Sequence, residues 1–207
     1  MIDHVRDLES LAEATERLLT AAAGLDNATA AEPSRLPGWS RGHVLAHLSR
    51  NADAIGNVLA GLPMYASAEA RDADIERDAH RPLAAQLTDL RESAARLRER
   101  AALPADWSRT VTLRNGVTDT AARVPFRRWA EIELHHVDLG IGYELADLPA
   151  EFTRREIGFL RDRFSGDPAV AGVEGPATAL LGWLSGRGDG KGLAVPGGGA
   201  LPVLPSL

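Results

Sequence analysis

The sequence contains no cysteine, no long apolar run and no excess of positive charge. Without cysteine the chain forms no disulfide or thiolate metal site, and any thiol chemistry needs a sulfur from another molecule. No stretch approaches the roughly 18 consecutive apolar residues of a membrane span, and the N-terminus begins with charged residues rather than an apolar signal core. We therefore expect a cytoplasmic protein with no membrane partner.

Charge and composition narrow the class of protein further. The chain has 23 basic and 29 acidic residues, a formal net charge of −6, which argues against binding to nucleic acid. With 44% hydrophobic and 25% charged residues among 207, it is long and apolar enough to bury a core. We expect a monomer or weak homo-oligomer whose partners are small molecules.

Four segments carry apolar residues at helical spacing, which predicts a mainly α protein. They span residues 3–23, about 40–60 after a capping Ser40, 82–102 and 121–142. The last contains the seam Ala130, Leu134, Val137 and Ile141, with offsets typical of a bundle helix. Residues 105–120, around Asn115-Gly116, form either a loop or a short hairpin, and the sequence does not decide between them.

The remaining chain is predicted as a smaller appendage. Pro149 begins another helical stretch, residues 177–184 form a short apolar helix, and the last dozen residues are too rich in glycine and proline for a regular helix. We therefore divide the chain into a helical bundle at 1–148 and a small C-terminal segment at 149–207.

Histidines on two bundle helices are the main chemical signal. His43 and His47 lie one turn apart on the second helix, and His135 and His136 lie on the fourth. At about 100° per residue, Glu131, His135 and Asp138 share one face of their helix. Glu131 and His135 have the spacing at which two ligands on one helix close on the same ion, and the His43/His47 pair offers a third. Two imidazoles and one carboxylate leave coordination positions open, as in catalytic zinc and non-haem iron sites.

Spacing alone leaves alternatives open. A glutamate and a histidine four residues apart are also a common weak surface pair. Glu133 and His136 form a rival pair on another face of the same helix, and His47 lies at the flank of its helix's apolar stripe rather than at its centre.

A glycine-rich stretch, residues 186–192, has the general look of a phosphate loop. Ser185 stands where the first glycine should be, and Gly192 replaces the serine or threonine after Lys191, so we reject a nucleotide site. The turn could instead present Arg187, whose planar guanidinium suits a carboxylate. An ordinary surface loop explains the same residues.

Two segments resemble the signatures of the mycothiol-dependent maleylpyruvate isomerase family: Leu36–His47 followed by Asn51-Ala52, and Glu131–Gly140 with its two histidines. Pro63-Met64-Tyr65, followed by Ser67, Glu69, Ala70 and Arg71, is also similar to the isomerase itself. The resemblance implies a DinB-like four-helix bundle with a small C-terminal α/β appendage. The appendage departs from the longer relatives at residues 165–176, where this chain is shorter.

The same resemblance implies the site. A divalent metal, usually zinc, would be held by His47, Glu131 and His135, with Arg187 binding substrate and His43 outside the ligand set. The implied activity is mycothiol-dependent cis–trans isomerisation of maleylpyruvate to fumarylpyruvate, in gentisate-type aromatic degradation. A metal-activated thiolate would add to the cis double bond, the bond would rotate, and elimination would give the trans isomer, with Asp138 orienting His135. The alternatives are a mycothiol S-transferase and a metal-binding bundle without turnover.

Overall fold

The computed structural model describes residues 2–164, 166 and 168–204 and contains two compact units, Met1–Gly142 and Tyr143–Leu207. Residues 165 and 167, in the segment expected to be shortened, and the chain end at 205–207 lie outside the described residues. The domain boundary that we expect from the sequence, after residue 148, stays a prediction.

A bundle of four long helices forms the first unit. The α-helices of this unit are, in chain order, α1 His4–Ala22, α2 Asn27–Ala31, α3 Arg41–Leu59, α4 Ala68–Ala79, α5 Leu83–Ala101 and α6 Val124–Leu139. Helices α1, α3, α5 and α6 pack on one another, and α4 lies against α3. The predicted mainly α fold with a four-helix bundle is confirmed.

The ends of these helices follow from local chemistry in the sequence. Ser40 caps α3, since its Oγ accepts the backbone N–H of His43 at 3.3 Å. Asp3 does the same for α1 and Ser67 for α4. Gly140, at φ 64°, ends α6 in the left-handed conformation that glycine adopts without a steric penalty.

The bundle core is aliphatic. Leucine, valine and isoleucine from all four long helices are completely shielded from solvent: Leu18, Val44, Leu45, Leu48, Leu90, Ile132 and Leu139. Each such side chain stabilises the fold by about 1.5–3 kcal/mol relative to an exposed position. This core holds α3 and α6 side by side, and these are the two helices that carry the predicted metal ligands.

The segment for which the sequence left two alternatives is a hairpin. Strand β1, Thr110–Thr112, pairs antiparallel with β2, Thr118–Thr120. The connecting turn contains Asn115 at φ 59° and Gly116 at φ 74°, values that favour these two residue types.

Two helices of the first unit have no counterpart among the helices predicted from the sequence. The larger, α4, has the sequence AEARDADIERDA, and its buried residues are Ile75, Asp78 and Ala79. So few buried positions in a largely charged segment produce no clear apolar periodicity.

The second unit contains α7 Ala150–Arg163, α8 Pro168–Ala171 and α9 Ala177–Leu184. Helices α7 and α9 pack together around Phe152, Leu160 and Leu181. An antiparallel bridge joins Glu174 to Ala194 in the glycine-rich part of the unit. Within the described residues of the whole chain, every helix is too short or too polar to cross a membrane.

Candidate metal centre

Three of the predicted ligands meet between α3 and α6. The Nε2 of His47 lies 2.9 Å from the Oε2 of Glu131, and the Nε2 of His135 lies 3.3 Å from the same oxygen. One ligand atom from each residue lies within 4.8 Å of the other two. Helical spacing alone brings Glu131 and His135 together on α6. The packing of α3 against α6 adds His47.

The imidazole of His135 lies between two carboxylates. Its Nδ1 is 2.7 Å from the Oδ2 of Asp138, which is 1% exposed, and its Nε2 faces Glu131. Burial lowers the pKa of His135, but hydrogen bonds and charge from Asp138 and Glu131 outweigh burial, so the pKa is raised overall. The Nε2 position therefore attracts a cation, either a proton or a metal ion.

Glu131 is held in its charged form. Burial raises its pKa, but the hydrogen bonds from His135 and His47 lower it by more, and the net pKa is well below the ordinary value. An ionised carboxylate is the form that binds a metal ion.

His47 is the most enclosed of the three ligands, with its side chain 7% exposed. Burial lowers its pKa to about 4, so its imidazole is neutral near pH 7. The Nη2 of Arg71, on α4, donates to its Nδ1 at 3.3 Å. The rings of Trp39 and His135 lie 5.5 Å and 4.7 Å from the His47 ring, between centroids. Arg71 also lies 5.9 Å from the ring centre of Tyr65.

These residues fit a divalent cation of the zinc type. Two imidazole nitrogens and one carboxylate oxygen converge, and such a set leaves at least one coordination position for a further ligand. Asp138 keeps the ring proton of His135 on Nδ1, which frees the Nε2 lone pair. A neutral His47 that binds through Nε2 carries its proton on Nδ1, so ligation requires Arg71 to release that atom.

The rival pair, Glu133 and His136, is engaged elsewhere. The carboxylate of Glu133 accepts from Arg17 at 2.6 Å and from the indole N–H of Trp129 at 2.9 Å. Glu133 and His136 are 1% and 2% exposed, and neither belongs to a three-ligand group within the described residues. Glu133 thus joins α6 to α1 by a half-buried ion pair, in which its own carboxylate is buried and the side chain of Arg17 is 40% exposed.

A buried arginine of α6 forms hydrogen bonds to α3 close to the ligands in sequence, and the sequence analysis did not identify it. Arg128, one turn before Glu131, donates to the Oδ1 of Asn51 and to the carbonyl oxygen of Leu48, both at 2.8 Å. It is 1% exposed, and burial lowers its pKa to about 10. The signal available in the sequence was an arginine next to the apolar seam of α6.

The other two residues predicted for the site have different partners within their own units. His43 points its Nε2 at Glu76, 3.1 Å away, rather than at Glu131. Arg187 lies half-buried in the second unit, where its Nη1 donates to the carbonyl of Ser185 at 2.9 Å. Its role in substrate binding stays a prediction.

The chain is similar to one family model and to two crystal structures. The family model described as the mycothiol maleylpyruvate isomerase N-terminal domain matches residues 11–140, which include all three ligands. A crystal structure of a mycothiol-dependent maleylpyruvate isomerase is 25% identical, with a TM-score of 0.85 over 97% of this chain and 96% of that one. A mutant structure of a protein of the same description, at 23% identity and a TM-score of 0.84, shares the fold over the same fractions. No curated protein matches the chain.

Proposed function

Because the chain belongs to the family of the mycothiol maleylpyruvate isomerase N-terminal domain, we propose that it isomerises maleylpyruvate to fumarylpyruvate with mycothiol and one divalent cation. The observation that carries this proposal is the convergence of His47, Glu131 and His135 within the residues that match the family. The similar fold of a mycothiol-dependent maleylpyruvate isomerase over nearly the whole chain supports it. Zinc is the cation that this donor set suits best.

The ligand residues prepare the site for a thiol. A bound divalent cation would supply a positive charge that lowers the pKa of a thiol placed beside it, so that the thiolate is present at neutral pH. His47 is already neutral and Glu131 already ionised, so neither has to lose a net proton. His47 only has to carry its ring proton on Nδ1 instead of Nε2, once Arg71 is released. Since the chain has no cysteine, the thiol must come from another molecule, which in this proposal is mycothiol.

Asp138 and Arg71 have supporting roles in this proposal. Asp138 holds the proton on Nδ1 of His135 and so keeps Nε2 directed at the cation. Arg71, once released from His47 Nδ1, leaves a guanidinium next to the ligand group. A cation there favours the binding of an anionic substrate.

Arg187 is proposed to bind a carboxylate of the dianionic substrate. Its guanidinium fork matches carboxylate geometry, and charge that develops on the keto-acid end would be stabilised by such a group. The turn depends on Gly186 at φ 72°, a conformation that side-chain-bearing residues rarely adopt. The helix end that precedes it is anchored by the Arg187 backbone N–H, which donates to Gly182 at 2.7 Å.

The test is direct. Purified protein loaded with zinc is mixed with maleylpyruvate, with and without mycothiol, and fumarylpyruvate is measured by chromatography. We expect product only with the thiol, and none from the His47→Ala variant. Absence of fumarylpyruvate from zinc-loaded, folded wild-type protein would contradict the isomerase proposal. If a stable mycothiol adduct of an electrophile accumulates instead, the S-transferase alternative is correct.

A further inference from the structure

A second group of metal-type ligands lies between the first turn of α3 and the C-terminal end of α4, and its His43 is one turn from His47. The Nε2 of His43 is 3.1 Å from Oε2 of Glu76, and the Nε2 of His80 is 3.0 Å from the other oxygen of the same carboxylate. The two imidazole rings are 5.5 Å apart in an edge-to-face arrangement. As in the first group, one ligand atom from each residue lies within 4.8 Å of the other two.

The backbone that carries these side chains is held firmly. Gly42, next to His43, packs so closely on the end of α4 that a Cβ atom at this position would collide with the carbonyl oxygen of Ala79. The buried side-chain amide of Gln86 donates to the carbonyls of Ala79 and Asp78, at 2.7 Å and 3.1 Å. The positions of Glu76 and His80 relative to α3 therefore follow from backbone packing and do not need a bound ion to arrange them.

Ser40 orients the imidazole of His43 from the opposite side. The Oγ of Ser40 is 2.7 Å from Nδ1, so it can accept the ring proton when Nε2 gives its lone pair to a cation. The Ser40 backbone N–H, 3.2 Å from the same nitrogen, would then give up its contact. The ring plane of Trp39 is stacked at 26° to that of His43, which further limits its rotation.

We propose that His43, Glu76 and His80 form a second site for a divalent transition-metal ion, separate from the site formed by His47, Glu131 and His135. Two imidazoles and one carboxylate select zinc, nickel or cobalt over magnesium and calcium, which prefer oxygen ligands. A cavity of about 630 Å³ is lined by His43, His80 and Trp39, so the remaining coordination positions are open to water or a small ligand. An ion there ties the C-terminal end of α4 to the first turn of α3.

Exposure makes this the weaker of the two sites. The side chains of Glu76 and His80 are each 67% exposed, whereas that of His43 is 12% exposed. Ion binding must order two exposed side chains, which costs conformational entropy. This cost is smaller for the first group, because its side chains are more enclosed. We therefore expect the second ion to bind after the first and to dissociate more readily.

The experiment is a titration of metal-free protein with Co²⁺, monitored by its visible absorption and checked by equilibrium dialysis. Wild type should bind two ions and His80→Ala one. In a His47→Ala background, which disables the first site, one ion should remain. Adding His80→Ala to that background should raise the dissociation constant of the remaining ion by at least the roughly tenfold that loss of a ligand-orienting partner already costs.

Matched variants separate coordination from general charge effects. Glu76→Gln should weaken the second ion, whereas Glu69→Gln, the same change at an exposed residue of α4, should not. His4→Ala, on α1 and stacked on Trp107, is the control for loss of a histidine outside both groups. The inference is wrong if His80→Ala and His4→Ala bind as many ions as wild type with unchanged affinity, or if wild type binds a single ion that His80→Ala retains. The comparison of wild type with His80→Ala does not depend on the isomerase activity or on the folding of His47→Ala.

Discussion

Replacing Asp138 tests whether His47, Glu131 and His135 bind a metal ion and whether Asp138 orients His135 toward it. Asp138 touches no open coordination position; it acts through His135, whose Nδ1 lies 2.7 Å from Oδ2. It is 1% exposed, so water does not readily substitute for the lost contact. We expect Asp138→Asn to weaken zinc binding while leaving the bundle folded.

The magnitude follows from that contact. A charge-assisted hydrogen bond contributes about 1.5–3 kcal/mol, and about 1.4 kcal/mol corresponds to a factor of ten in affinity. Asparagine keeps an oxygen acceptor but loses the charge, so the dissociation constant of zinc should rise about tenfold. Asp138→Ala, which loses both, should approach a hundredfold, at the upper end of about 10–100-fold for residues that orient a metal ligand.

The pH dependence distinguishes this role from a structural one. Asp138 is one of the groups that raise the pKa of His135, and a proton on Nε2 competes with the metal. In wild type, affinity should fall as the pH drops through that raised pKa. In Asp138→Asn the competition begins at lower pH, so the loss of affinity relative to wild type should be larger at pH 8 than at pH 6.

The assay is competition with a chromophoric zinc chelator at several pH values, with circular dichroism to verify folding. Glu133→Gln is the matched control, because it neutralises another buried carboxylate of α6 that pairs with Arg17 and Trp129. It should change stability and leave zinc affinity unaltered. Equal zinc affinity in folded Asp138→Asn and wild type, or a loss that does not vary with pH, would refute the reasoning.

Three other predictions concern the ion, the substrate and the fold. Chelation should abolish activity and leave the helical circular dichroism nearly intact, because the core of the bundle is aliphatic; collapse of that signal would make the metal structural. Arg187→Ala should lower kcat/KM by about one to two decades without loss of metal, and Arg187→Lys should recover only part. If Arg187→Ala turns over normally, Arg71 is the next candidate, because its guanidinium contacts the ligand His47. Burial lowers the pKa of His136 to about 4, whereas its pKa in the unfolded chain is near 6.5. Between these two values the unfolded chain binds more protons than the folded one, so the free energy of unfolding falls as the pH drops from 6.5 toward 4. Denaturant titrations measure the free energy of unfolding of wild type and of His136→Gln. The difference between them should shrink by at most about 3 kcal/mol from pH 7 to pH 4, and a difference that stays constant would contradict the lowered pKa.

Much of the bundle was predictable because its long helices carry strong local signals. The apolar spacing of α1, α3, α5 and α6 and the cap at Ser40 are properties of short stretches of chain, and the structure has helices at those places. The pair Glu131 and His135 is local in the same sense, since one helical turn brings both side chains to the same face. Helix α4 escaped prediction because it buries few residues in a charged segment.

Only the tertiary structure decided which partners those local elements meet. Spacing left the pair Glu131/His135 and the pair Glu133/His136 equally open. The packing of α1 and α3 on α6 distinguished the two pairs. Arg17 of α1 forms an ion pair with Glu133, whereas His47 of α3 contacts Glu131. Likewise nothing local indicated that His43 would face Glu76 and His80, from a helix 33 residues further along the chain. Periodicity reports which side of a helix is buried, whereas the identity of the neighbour depends on how several helices fill the space around one core.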